Sequence, residues 1–307
     1  MNAARAAARD SIGKAAMSNL TWQIGCVRVT RIEETLTTIP LTSFFAAATP
    51  EALAPHLPWL RPHFVDAQDH AILSIHGLVV ESQGRTILVD TCIGENWPES
   101  NPLERSALLG DPTSPFLGNL ERAGFQRERI DVVLCTHLHF DHVGCNTMRV
   151  DDTVVPTFPN ARYLFARTEW EHWRAQEDPG FAATLRETVE PILAAGLADL
   201  VECDHVVTDE VRLELTPGHT PGHVSVRIAS QGKEALVTGD MAHHPVQWAE
   251  PTWGIAADPD GAQATRTRQR ILAQHTDDDL LIIGTHYAPP TAGRLVRRDG
   301  RVRFASG

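Results

Sequence analysis

Six consecutive residues, His137-Leu138-His139-Phe140-Asp141-His142, set the tightest limit on what this chain can become. They follow the apolar run Ile130–Cys135, which reads as a short buried strand. Imidazoles and carboxylates this densely packed make poor core residues, because each costs several kcal/mol to bury without a partner. The strand must therefore deliver them to its end, where a polar site can open. In an extended stretch His137 and His139 point the same way and can reach one metal ion. Asp141 and His142 fall where the chain turns, at Val143-Gly144, and can face a neighbouring ion. A solvated His-rich loop is the plain alternative, and the rest of the chain argues against it.

The same construction recurs three times. Val211, Leu213 and Leu215 alternate, as do Val224, Val226 and Ile228, and the turn TPGHTPGH between these strands carries His219 and His223. Asp240 ends the strand-like ALVTGD, and His286 ends LLIIGTH. A lone histidine at a strand end is usually structural; four such segments together suit a metal site. Imidazole suits zinc, and a mixed imidazole–carboxylate set also accepts iron, manganese or cobalt.

Other elements are legible around these motifs. Residues 71–90 read as two strands joined at Gln83-Gly84, and 115–123 as a helix capped by Ser114 and stopped at Gly124. Thr168 is the expected cap of a helix carrying Trp170 and Trp173. Residues 180–195 are expected to be helical around Pro191, and 262–275 to form a further helix. The stretch from Gly84 to Asp90 echoes that from Gly232 to Asp240: a turn, a buried strand, a carboxylate at its end.

Composition narrows the class. No apolar stretch approaches the ~20 residues of a spanning helix, and residues 1–19, which lack an apolar signal region, read as a frayed tail before a single domain over 20–307. A net charge of -12 argues against nucleic acid as a partner. The arginines from Arg294 to Arg303 make only a small, solvated cluster. Five cysteines without a CxxC fit a reducing compartment, so a cytoplasmic enzyme with a small-molecule substrate is expected.

HLHFDH, TPGHTPGH, TGD and GTH, in this order, resemble the metallo-β-lactamase superfamily, and in particular its N-acyl homoserine lactone lactonase and methyl parathion hydrolase-like branch. The resemblance implies an α/β (α+β) fold, a four-layer αββα sandwich with two divalent metal ions at the edge of its sheets. Carried over by position, His137, His139 and His219 would hold one ion. Asp141, His142 and His286 would hold the other, and Asp240 would bridge them. Asp90 would support the site, and His223 would serve as a structural hydrogen-bonding residue. The implied chemistry is hydrolysis of a lactone or ester carbonyl by a metal-bridging hydroxide, with Asp141 and Asp240 orienting the water. Lactonases commonly carry a tyrosine three residues after the bridging aspartate; here that position is His243, a candidate hydrogen-bonding group in catalysis. The segment Leu41–Val65 looks like a family-specific addition. Phe44, Phe45, Trp59 and Phe64 from it, with Trp97, Met241, Trp248 and Trp253, could line an apolar pocket. Competing readings are a phosphotriesterase, a glyoxalase II-like thioesterase and a mononuclear-iron sulfur dioxygenase, the last leaving His142 and His286 without a role. A homodimer is the default assembly.

Overall fold

Two Gln-Gly turns organise the strands. Gln83 and Gly84 have φ of 50° and 76°, and Gln231 and Gly232 have φ of 50° and 73°. Two successive left-handed residues give a tight turn whose twist matches that of the flanking strands. The first closes an antiparallel hairpin of His70–Ser82 with Arg85–Val89. The second closes Val224–Ser230 onto Lys233–Val237. In each case the second strand then pairs in parallel with the next one in its sheet, Val132–Leu134 or Leu281–Ile283. The echo between Gly84–Asp90 and Gly232–Asp240 is thus a repeat of topology as well as of sequence.

The computed structural model describes residues 20–95, 113–151 and 153–306, so the expected tail over 1–19 and Trp97 lie outside the described residues. In chain order the first sheet runs Thr21–Ile24, Val27–Pro40, His70–Ser82, Arg85–Val89, Val132–Leu134, Arg162–Ala166, Ala198–Val201, each hydrogen-bonded to its neighbour. The second runs Val206–Thr208, Val211–Leu215, Val224–Ser230, Lys233–Val237, Leu281–Ile283, Ala292–Arg298, Arg301–Ser306. Alternation along the strands assigns the faces. Leu78, Val80, Ile87 and Val89 of the first sheet meet Val224, Val226, Ala235 and Val237 of the second in an inter-sheet core. Val79, Leu88 and Val133 face outward to Phe116, Leu120, Leu185 and Ile192 of the flanking helices. Leu236 and Ile282 face outward on the other side, to Leu53, Leu60, Trp248 and Ile271. Helix, sheet, sheet, helix is the four-layer order expected. No helix among the described residues is long and apolar enough to cross a membrane.

The differences from expectation are local. The helix Arg167–Trp173 begins one residue before Thr168 and has no side-chain cap; its first turn carries a buried glutamate instead. The helical region after Gly180 is split into Pro179–Thr188 and Glu190–Ala194, because proline at the start of the second piece lacks an N–H to continue the first. The long strand Val27–Pro40 was not legible. A bulge between Glu33 and Thr35 breaks its alternation, and turns Glu34 inward to accept from the Ile93 and Gly94 amides at 2.9 Å each. Phe45, Phe64, Met241, Trp248 and Trp253, expected at a pocket wall, are fully buried between the second sheet and its outer helices. They are core, for the same reason they attracted notice: large apolar surface is removed from water wherever a layer can cover it.

His244 ties the added segment to this layer. Its Nε2–H donates to the Phe64 carbonyl at 2.9 Å, and Nδ1 accepts from the Val246 amide at 3.3 Å. Burial holds this imidazole down at about 4. The unfolded chain therefore binds a proton near pH 6.5 that the folded chain refuses until about pH 4. Stability is complete above that window and falls as the pH drops through it, by about 3 kcal/mol in all from this group. In chelator, urea midpoints of His244→Gln should fall less steeply between pH 6.5 and 4 than those of the parent; equal slopes would remove His244 from the account.

Candidate metal centre

Past the end of the strand Val132–Leu134 the chain bends at Thr136-His137 and again at His139, then makes one helical turn, Phe140–Val143. This stretch sets the rings of His137 and His139 4.5 Å apart. The helical turn brings His142 back against His137, ring centroids 4.1 Å apart, with Asp141 beside it. The second sheet supplies the opposite wall. His219 comes from the turn after Val211–Leu215, Asp240 from a short turn at Gly239–Met241, and His286 from the loop after Leu281–Ile283. One ligand-type atom from each of His137, His139, His219 and Asp240 lies within 4.8 Å of the others, and the same holds for Asp141, His142 and His286. The seven side chains singled out in the sequence are thus brought together as two neighbouring groups.

The turn TPGHTPGH is shaped by its glycines. A Cβ on Gly218 would fall 2.2 Å from the Ala264 amide nitrogen, and one on Gly222 would fall 2.3 Å from that of Glu169. The turn is wedged between the starts of two helices, and only glycine fits at either contact. Glu169 completes the wedge. Its carboxylate accepts from the Leu138 amide at 3.3 Å, the Gly222 amide at 3.0 Å and Trp173 Nε1 at 2.5 Å, tying the two histidine segments together. Burial pushes this carboxyl up from its ordinary value, against those hydrogen bonds.

Outer hydrogen bonds aim the imidazoles. Asp90 accepts from the Thr136 amide at 2.7 Å, the Thr136 hydroxyl at 2.9 Å and His142 Nδ1 at 2.9 Å. His286 Nδ1 donates to the Ser74 carbonyl at 3.0 Å, and His219 Nδ1 to Asp258 at 2.9 Å. His223 lies behind the cluster: its Nε2 accepts from the Asp240 amide at 2.7 Å, so the proton sits on Nδ1 and bonds Thr216. Its role is structural. Asp258, Glu169 and Ser74 were not found from the sequence.

The electrostatics point to a cationic occupant. Burial opposes ionisation of Asp240, but His142, His286, His243 and His137 outweigh it and hold the carboxyl well below its ordinary value. Burial also pushes His137 and His139 well down, leaving neutral rings with a lone pair to offer. For His142 and His286 the nearby Asp240 and Asp141 carboxylates overcome burial and raise both. His137 Nε2, His142 Nε2 and Asp240 Oδ1 are buried with no hydrogen-bond partner, although Asp240 oxygens lie 3.7, 3.2 and 3.0 Å from His137, His142 and His286 Nε2. His219 Nε2, its other nitrogen spent on Asp258, faces His139 Nδ1 at 2.9 Å. Imidazole nitrogens converging on one buried carboxylate, several of them without a hydrogen-bond partner, fit metal ions in place of the protons, and the residue types suit zinc.

Two aromatic surfaces border the cluster. Trp173 and Phe181 stack with ring centroids 4.1 Å apart and both reach His139. Phe44, half-buried, approaches His243 edge-on at 6.0 Å. Trp173 and Phe181 had not been assigned to a pocket from the sequence.

If the cluster holds metal only in the folded state, binding adds directly to stability. Zinc at about a hundred times its dissociation constant contributes about 2.7 kcal/mol. Chelated protein given zinc should therefore melt several degrees higher; an unmoved midpoint would sink the metal reading.

Comparison with known proteins places the chain in a family. N-acyl homoserine lactonase AiiA from Bacillus thuringiensis subsp. kurstaki is 26% identical over 204 residues, covering 64% of this chain and 75% of the relative. N-acyl homoserine lactonase AttM from Rhizobium radiobacter is 28% identical over 186 residues, covering 57% and 65%. Among solved structures, the hydrolase AbOPH of the beta lactamase superfamily matches with a TM-score of 0.78 at 23% identity, over 96% of this chain and 99% of that one. AidC, a dizinc quorum-quenching lactonase, matches at 0.74 and 20% identity, over 94% and 99%. The family model of the metallo-beta-lactamase superfamily matches residues 73–286. That span exceeds two thirds of the chain and contains all seven clustered side chains, and the chain belongs to the metallo-beta-lactamase superfamily.

Proposed function

We propose that this metal-dependent hydrolase holds two divalent ions, zinc first among them, and opens the carbonyl bond of a lactone or ester of a partly apolar small molecule. The observation that carries the reading is the meeting of two ligand groups at Asp240, whose buried oxygens lie 3.4 Å from His219 Nε2 of one group and 3.2 and 3.0 Å from His142 and His286 Nε2 of the other. His137, His139 and His219 would hold one ion and Asp141, His142 and His286 the other, with Asp240 shared. When bound, the ions supply Lewis acidity, lowering the pKa of a shared water and polarising the scissile carbonyl. The lactonase relatives support the substrate class.

The protein's own groups do the rest. Asp240 stays ionised at any neutral pH, balances part of the charge and can accept a hydrogen bond from the attacking water. Asp141, more open at 15% side-chain exposure, can do the same from the solvent side. His243 occupies the position after Asp240 where lactonases place tyrosine. Its backbone amide donates to Gln247 at 2.7 Å, and its Nε2 lies 3.2 Å from Asp240. Its ring stacks parallel to His286 at 5.6 Å. Burial lowers this imidazole, so it is neutral at pH 7, and Nδ1 is buried with no protein partner. In the Nδ1–H tautomer, with its one N–H no longer given to Asp240, we assign that nitrogen to donate to the substrate's carbonyl oxygen. Phe44 and the Trp173–Phe181 stack can shelter an acyl chain or aryl ring from water. Of the C-terminal arginines, Arg294, Arg297 and Arg303 pair with Asp279, Asp277 and Asp299 on an exposed face, which gives no support to glutathione binding.

In a panel of acyl homoserine lactones, aryl esters, S-lactoylglutathione and a phosphotriester, lactones or esters should turn over fastest and chelation should abolish turnover. A fastest phosphotriester would overturn the carbonyl assignment. Asp240→Ala should lose most activity together with bound metal. His243→Phe should keep its metal yet lose about 10²–10³ in kcat, as removal of a donor to a developing oxyanion does; unchanged kcat would strip His243 of the role.

A further inference from the structure

Two of the five clustered imidazoles are backed by a carboxylate. For His142 that carboxylate is Asp90, which the sequence marks by its place at a strand end. For His219 it is Asp258, in the loop before the helix Gly261–His275, where nothing in the sequence separates it from Asp260, the helix cap. Asp258 Oδ1 lies 2.9 Å from His219 Nδ1, and Oδ2 accepts from the Ile255 amide at 3.2 Å. Arg268 Nη1 stands 3.9 Å from Oδ2, with the two side chains 0% and 1% exposed. The same guanidinium donates to the Met241 carbonyl at 3.0 Å and, through Nε, to the Pro251 carbonyl at 2.8 Å. Met241 adjoins Asp240.

We propose that Asp258 is a positioning residue for the ion held by His137, His139 and His219, and that Arg268 links it to the backbone beside Asp240. An ionised acceptor on Nδ1 fixes the His219 tautomer, aims the Nε2 lone pair into the cluster and makes that nitrogen a stronger donor. Arg268 compensates the buried carboxylate, which would otherwise be costly to keep charged. By bonding the Met241 carbonyl it also holds in register the turn that presents Asp240. The ion pair between Asp258 and Arg268 of the helix Gly261–His275 thereby steadies His219, which serves one ion alone, while Arg268 also supports Asp240, which both ions would share. The other group contains Asp141, His142 and His286, and Asp258 touches none of these. A loop staple, holding only the Ile255 amide, would show no such selectivity. The inference rests on the reading that the cluster binds two ions.

The test is zinc affinity, measured on the purified full chain by competition with a chromophoric chelator. Asp258→Asn keeps the size and one acceptor oxygen but removes the charge. One of the two zinc ions should bind about 10–100-fold more weakly, as loss of an outer partner to a ligating histidine does, while the other keeps its affinity. Because the single variant leaves the Arg268 charge buried and unpaired, Asp258→Asn combined with Arg268→Gln removes that penalty; since Arg268 also holds the turn of the shared Asp240, the double variant should weaken both ions, the first more than the second. A folded variant that retains both affinities, or loses both in parallel, overturns the proposal. If the unaltered protein binds a single zinc ion, the two-ion reading itself falls, and the proposal with it, before any substitution is made.

Discussion

The burial of the Asp240 carboxylate among imidazoles is the interaction on which the rest of the structure turns. A lone carboxylate at 3% exposure would be expensive, and it is tolerated here because ring nitrogens surround it. Those rings are useful only if each presents a lone pair inward, which requires that each outward nitrogen be satisfied by something fixed. Asp90, Asp258, Ser74 and Thr136 meet that requirement for His142, His219, His286 and His137. Asp90 and Thr136 lie just past strand ends, Asp258 in the loop before the helix Gly261–His275, and Ser74 within the strand His70–Ser82. The sandwich is rigid at this edge because the polar cluster admits little tolerance.

The motif residues were legible because they are chemically conspicuous in an apolar context. Strands such as ILVD and ALVTGD announce their own ends, and residue type then names the ligand. The turns at Gln83-Gly84 and at Gly232 were legible beside those strands; the order of the strands in each sheet came only from the fold. What stayed hidden was hidden for physical reasons. Val27–Pro40 is rich in threonine and charge, and its bulge at Glu34 breaks the alternation that marks a half-buried strand. Asp258 and Glu169 sit near helix starts, where an acidic residue is expected for reasons of capping and the helix dipole. Their real partners lie far away in the chain, and no local pattern reports that.

The aromatics teach the converse. Phe45, Phe64, Trp248 and Trp253 look like pocket residues in the sequence and are core residues in the fold. Phe44 and Phe181, one at each side of the cluster, carry no signal that distinguishes them from these. Hydrophobicity decides that a ring leaves water; it does not decide whether the ring is covered by protein or by a substrate. That choice belongs to the covering helices: those around Leu41–Leu60 seal Phe45 and leave Phe44 half-buried, and the helix Pro179–Thr188 on the other side leaves Phe181 half-buried.

The repeated hairpin has a mechanical consequence. Each group of ligand atoms draws on both repeats: His137 and His139 with His219 and Asp240, and Asp141 and His142 with His286. Neither half of the chain owns a complete site. Any ion seated there is a rivet through the seam between the two sheets, and parting them by even a small hinge opening would dismantle its coordination. The edge that performs chemistry is then also the clasp that sets how slowly the sandwich comes apart.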